Sequence, residues 1–283
     1  MVDIVIHIAL AALFTLGIRW AQLHPSYDVM VVGAINYITA GLLSGVLLLL
    51  TGAWAYQTSW PAILTGGALG ANYFIAFFLL LSTLNLRGAA IASALSRLAV
   101  IIPIALAVVV WQERPSAVQW IGIGVSVIAV FLMNAPQKGS EESRTTRGTI
   151  VMILFFLFAG GAFSSQEVFD HTAAPRYAPV FLTSGFVLAS LASLLLLLAR
   201  RVRPASRELA AGYVIGVANG LQVLFLLRAL EQLPAFLVFA ISSAGGLVAT
   251  ALAARVTLGE RPALLRSIGI GTAAVALVLL QAS

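Results

Sequence analysis

The chain has no cysteine and very little charge, with 16 Lys and Arg and 10 Asp and Glu among 283 residues. The missing thiols exclude disulfides, thiolate metal sites and cysteine nucleophiles. Only three histidines are present, His7, His24 and His171, and they stand too far apart for a zinc motif. No metal and no other cofactor is therefore expected. Charged residues make up 9% of the chain, against about 25% in an ordinary soluble domain, too few to cover a soluble globule of this length. That shortage excludes a cytosolic enzyme, a nucleic-acid-binding module and a disordered tail. What remains is a chain that is 61% apolar with a mean hydropathy of +1.03, which is the composition of a polytopic membrane protein. The N-terminus reads Met1-Val2-Asp3 with no basic residue before the apolar run, so the first span is expected to be retained and not cleaved as a signal peptide.

A membrane helix needs about 20 mostly apolar residues. Polar punctuation divides the chain into ten such stretches, near 3–20, 31–51, 60–84, 88–111, 117–134, 148–168, 178–199, 208–229, 234–256 and 263–281. The connections are short except for 135–147, which is polar, contains Gly and carries both signs of charge. The two sides of that linker resemble each other. A shift of 147 carries Ala71-Asn72 onto Ala218-Asn219, and Glu113-Arg114-Pro115 onto Glu260-Arg261-Pro262. The same shift carries Gly122-Ile123-Gly124 onto Gly269-Ile270-Gly271, and near the start a shift of 150 relates Pro25 and Tyr27 to Pro175 and Tyr177. A run of matches at nearly one offset argues for duplication. The expected organisation is a first five-helix repeat at 1–135, a linker at 136–147 and a second repeat at 148–283. Five spans per copy is an odd number, so the second copy enters the bilayer from the opposite face. Inverted repeats that meet at mid-membrane are the architecture of secondary transporters. The fold expected is all-α, with ten transmembrane helices in two inverted five-helix repeats.

Loops after odd-numbered spans carry twelve basic residues, among them Arg200, Arg201, Arg203 and Arg207, while those after even-numbered spans carry Arg114, Arg176 and Arg228. The bias predicts that the odd loops are cytoplasmic and both termini lie outside.

With the paired Gln112-Glu113-Arg114-Pro115 and Gly259-Glu260-Arg261-Pro262 in view, each followed by Gly-Ile-Gly on the next helix, the chain resembles the drug/metabolite transporter superfamily, specifically its EamA-type exporters. The resemblance extends over essentially the whole chain. It implies export of amino acids or other small metabolites through a central cavity lined by helices one, three, four, six, eight and nine, in a bacterial inner membrane. It also implies termini in the cytoplasm, where the charge count predicts the opposite.

Arg97 lies about ten residues into the fourth span, roughly 15 Å deep at 1.5 Å per residue. An intramembrane cation marks a pathway by default, and every acid of the chain reads as lying near a span end or in a loop. Arg97 is therefore the candidate receptor for an anionic group of the substrate, such as an amino-acid carboxylate. A structural Arg held by backbone carbonyls is the alternative. Ser93 and Ser96 lie within a turn of it, and Ser242 and Ser243 stand at the related place in span nine. Pro103 frees the carbonyl of Ala99, and Gly245-Gly246 are the loose point of span nine, so both helices are candidate hinges. Asn72, Tyr73, Asn219 and Gln222 are polar at mid-helix, the two Asn serving as glue between helices or as pocket groups. Ser164 completes the binding candidates; with Ser165 and Gln166 it lies nearer the end of span six, where an outer vestibule is expected. Glu113 and Glu260 stand before a Pro suited to the first position of a helix, where a carboxylate caps free N–H groups. Glycines every four residues, Gly212, Gly216 and Gly220 in span eight and Gly41 and Gly45 in span two, predict seams of close helix packing, within the chain or between two copies.

These residues point to a membrane transporter and not to an enzyme. It would act as a facilitator or exchanger of zwitterionic or anionic metabolites, with a small-molecule substrate and the bilayer as its partners, no nucleic acid, and a monomeric or homodimeric state. The alternatives are a proton-coupled multidrug exporter, a passive channel or scaffold, and an intramembrane enzyme. The last would need a mid-membrane Ser near a His, or paired acids, which the sequence does not offer.

Overall fold

The computed structural model describes residues 1–53, 59–133, 146–258 and 264–281. Among these the chain is helical, in the order α1 (Val2–Leu23), α2 (Val29–Leu50), α3 (Trp60–Leu98), α4 (Ile101–Val109), α5 (Ala117–Met133), α6 (Thr146–Thr172), α7 (Ala178–Arg200), α8 (Ser206–Leu230), α9 (Ala235–Leu258) and α10 (Leu264–Gln281). Among the described residues seven apolar segments are long enough to cross a bilayer, and three shorter ones lie at Leu95–Val109, Ala117–Leu132 and Ile268–Leu280. The expected linker falls almost entirely outside the described residues, as do Glu260, Arg261, Pro262 and Trp54.

One junction differs from the sequence reading. The third and fourth spans, expected to part between 84 and 88, are joined in the single helix α3, and the interruption comes at Ala99–Val100. Polar residues alone do not end a helix, and Asn85 and Arg87 are tolerated inside one. Pro103 does interrupt, because it has no N–H for the Ala99 carbonyl. That oxygen accepts instead from the Ile102 N–H at 3.1 Å, a tightened turn before α4.

Local chemistry sets the other boundaries. Asp28 caps α2, its carboxylate accepting from the Met30 N–H at 2.9 Å. Glu208, in the first turn of α8, reaches back to the Ala205 N–H at 2.8 Å. After α4 the chain turns through Gln112 at φ 57°, and the Glu113 N–H donates to the Ala107 carbonyl at 3.0 Å. Left-handed residues that end helices in this way are usually glycine, and the repeat partner of Gln112 is Gly259.

The chain divides into two compact units, one of Met1–Phe74 with Ser165–Gln232, the other of Ile75–Ser164 with Leu233–Ser283. Each draws on both halves of the sequence. In the first unit α2 lies between α7 and α8. Val31 and Ala34 cluster with Leu197, the Ser190 hydroxyl donates to the Tyr37 carbonyl at 2.7 Å, and Gly41 faces Phe186, so α2 and α7 run antiparallel. Gly212 meets Val32 and Ile35, Gly216 meets Asn36 and Thr39, and Gly220 meets Ala40 and Leu43, so α8 runs parallel to α2 along a glycine seam inside the chain. Among the described residues nothing lies within 4 Å of where the Cβ of Gly45 would stand, so it takes no part in the α2–α8 seam.

In the second unit Gly122 faces Leu279 and Leu280, while Ala129 packs with Ala273, Ala276 and Ala244, which makes α5 and α10 antiparallel against α9. The pairs α2 with α7 and α5 with α10 are those that the sequence offset relates.

Candidate functional site

Arg97 is the next-to-last residue of α3, and α9 supplies its partners. The Nη2 group donates to the Gly246 carbonyl at 3.3 Å and to the Thr250 hydroxyl at 3.1 Å. The Ser243 hydroxyl closes the contact from the other side, donating to the Arg97 carbonyl at 3.4 Å. Gly246 admits the guanidinium because it has no side chain; a Cβ there would collide with Nη1. A carbonyl and a hydroxyl orient the cation without neutralising it. Beside it lies a cleft of about 10 Å³ lined by Ile104, Ile123, Ser126 and Val130, which is room for about one water molecule and not for a metabolite.

The other candidates of this unit are less closely gathered. Ser96 is exposed, and the side chain of Ser93 lies outside the described residues. Ser242 is half-buried, and the buried hydroxyl of Ser164 has no hydrogen-bond partner among the described residues. α9 passes through Gly245 and Gly246 as one continuous helix, in contrast to the interruption beside Pro103.

The carboxylate of Glu113 is a helix cap, but of a different helix from the one it precedes. Its two oxygens accept from the N–H groups of Ala235 at 2.9 Å and Phe236 at 3.0 Å, the first residues of α9. Arg114 and Pro115 follow it into α5, Arg114 exposed and Pro115 half-buried.

In the first unit the mid-helix polar residues find partners. Asn72 donates to the Ala68 carbonyl on its own helix at 2.8 Å. The Tyr73 ring stands 6.3 Å from Tyr37 and 6.0 Å from Phe186, and its carbonyl accepts from the Tyr37 hydroxyl at 3.0 Å. Gln222 donates to the Asn219 side-chain oxygen at 2.8 Å. Its own carbonyl meets the Nδ1 of His7 at 2.8 Å, so this nitrogen carries the proton.

Three residues escaped the sequence reading. His7 is 5% exposed, Asn36 is 2% exposed, and Glu167 is fully buried. Glu167 looked terminal because the sixth span was expected to stop at 168, whereas α6 continues to Thr172. The side-chain oxygen of Asn36 has no hydrogen-bond partner among the described residues.

Helices of this length and hydropathy, with polar side chains turned inwards, define a polytopic α-helical integral membrane protein. Residues 3–135, which include the first Glu-Arg-Pro motif at 113–115, match the EamA-like transporter family, so the resemblance is shown over that half, and it is to membrane transporters of the drug/metabolite transporter superfamily. This is a family of transporters and not of enzymes, with small-molecule substrates and a bilayer setting. An uncharacterized protein of Haemophilus influenzae is 27% identical over 248 residues, covering 84% of this chain and 83% of the relative. A solved crystal structure shares the fold at a TM-score of 0.79 and 16% identity, over 99% of this chain and 95% of the other.

Proposed function

We propose that the protein is a facilitator or exchanger that moves small zwitterionic or anionic metabolites, amino acids foremost and aromatic or hydrophobic ones among them, out of the cell by alternating access. The observation that carries this reading is Arg97, an intramembrane cation met by a carbonyl and a hydroxyl of α9. A substrate carboxylate would supply the missing charge and a bidentate partner. Ser96, Ser243 and, by sequence, Ser93 would complete the shell, with Ser242 and Ser164 as further contacts. Asn72, Tyr73 and Asn219, already engaged with neighbours, fit holding roles better. Because the cleft at Arg97 holds about one water, substrate entry requires α3 and α9 to separate. The tightened turn before Pro103 and the side-chain-free Gly245 and Gly246 are where such a motion would bend.

The two inverted repeats at 1–135 and 148–283, joined by the linker 136–147, belong to the same proposal. Antiparallel pairing of α2 with α7 and α5 with α10 supports them, since repeat mates in an inverted pair cross the bilayer in opposite directions. The Gly212–Gly216–Gly220 seam is occupied within the chain, which favours a monomer. By the distribution of arginines, the termini face outwards from a bacterial inner membrane.

Counterflow in proteoliposomes loaded with unlabelled amino acids tests the reading: labelled substrate should accumulate transiently, and Arg97→Ala should raise the apparent KM. Accumulation without a preloaded substrate, or Arg97→Ala with unchanged affinity, overturns it. A second reading, a proton-coupled exporter, draws on the complete burial of Glu167 in α6.

A further inference from the structure

The connection between α7 and α8 carries four arginines in eight residues, Arg200, Arg201, Arg203 and Arg207, all exposed. The two acids beside them are turned to the backbone. Asp28 accepts from the Met30 N–H at 2.9 Å, and Glu208 accepts from the N–H groups of Asp28 at 2.9 Å and Ala205 at 2.8 Å. The carboxylates thus cap helices α2 and α8 instead of balancing the guanidinium groups. Arg207 is laid over the ring of Tyr27, its central carbon 5.6 Å from the ring centre, and Tyr27 meets Trp20 edge-on at 5.0 Å. Trp20 and Tyr27 are side chains of the kind that settle at headgroup depth. On the bilayer side of the arginines α7 exposes Leu195 and Leu198, 67% and 63% accessible.

We propose that this turn is a binding site for the phosphate headgroup of anionic phospholipid. The arginines meet the phosphate, the Trp20–Tyr27 pair fixes one of them at the interface, and the α7 leucines lie against the acyl chains. A charge bias that only oriented the chain during insertion would require basic residues but neither the ring beneath Arg207 nor the diversion of both acids. A soluble anion would have no use for the leucines.

The test uses the full chain purified in detergent, where orientation in a membrane plays no part. Native mass spectrometry with phosphatidylglycerol and phosphatidylcholine should show preferential retention of phosphatidylglycerol, weakening with salt. Each arginine replaced by Gln should reduce that preference about fivefold, the equivalent of about 1 kcal/mol per basic residue at an anionic surface. Arg203→Gln and Arg207→Gln singly serve where a variant with all four arginines replaced does not survive purification. A Gln variant with undiminished preference, or displacement of phosphatidylglycerol by an equal concentration of inorganic phosphate, would overturn the assignment.

Discussion

Glu113 and Ala235 are joined by a 2.9 Å hydrogen bond between a carboxylate oxygen and a backbone N–H, and the second oxygen of the same carboxylate takes the next N–H, that of Phe236. One side chain between α4 and α5 therefore satisfies the first two open donors of α9. Glu113→Ala should lower stability by about 1–2 kcal/mol, read as a fall in the detergent melting temperature, with Glu113→Gln intermediate because the amide keeps one acceptor. Equal melting of all three proteins would show that the cap contributes nothing.

Gly246→Ala should mimic the loss of Arg97. The new methyl occupies the space of the guanidinium, so the substitution should raise the apparent KM in counterflow as Arg97→Ala does, while Arg97→Lys, which keeps the charge without the fork, should fall between. A Gly246→Ala protein with wild-type affinity would detach Gly246 from binding.

The glycine seam supplies a matched pair. A Cβ at Gly216 would come within 2.5 Å of the Asn36 carbonyl oxygen, a backbone atom that cannot step aside, whereas one at Gly45 meets nothing within 4 Å. Gly216→Ala should destabilise by about 1–3 kcal/mol, and Gly45→Ala should be neutral or stabilise by up to about 1 kcal/mol. Thermal unfolding of the two variants side by side decides.

Gln112→Gly should stabilise the α4–α5 turn by roughly 1 kcal/mol, because the left-handed conformation at φ 57° strains any residue with a Cβ. A lower melting temperature would mean that the Gln112 side-chain bond to the Val109 carbonyl, 2.6 Å long, outweighs that strain.

The buried Glu167 divides the two energetic readings. With an imposed pH gradient as the sole driving force, a facilitator gives no uphill uptake; a proton-coupled exporter does, and Glu167→Gln should then abolish it while leaving counterflow intact.

Much of this was legible in the sequence. Hydropathy located most of the helices, and Pro103 marked the carbonyl where α3 stops. What escaped was set by contacts distant along the chain. A carboxylate before a Pro looks like a cap for its own helix, and nothing near Glu113 announces residues 235 and 236. Asn85 and Arg87 look like a loop because they are polar in an apolar run, although neither residue breaks a helix. Glu167 was misjudged by four residues of helix length, enough to move an acid from an end to the interior. Arg97 was found because an isolated cation is conspicuous in an apolar run; Thr250, which holds it, looks like any other hydroxyl.

The first unit closes only when α7 and α8 reach α1 and α2, with residues 75–164 made in between. At a synthesis rate of 5–20 residues per second, α2 waits on the order of ten to forty seconds for Leu230 to leave the ribosome. Throughout that interval His7 and Asn36 have none of their α8 neighbours. Biogenesis of this protein thus has a built-in pause during which two polar side chains face lipid, and an insertase or lipid chaperone that shields them would raise the yield of folded protein without touching its final stability.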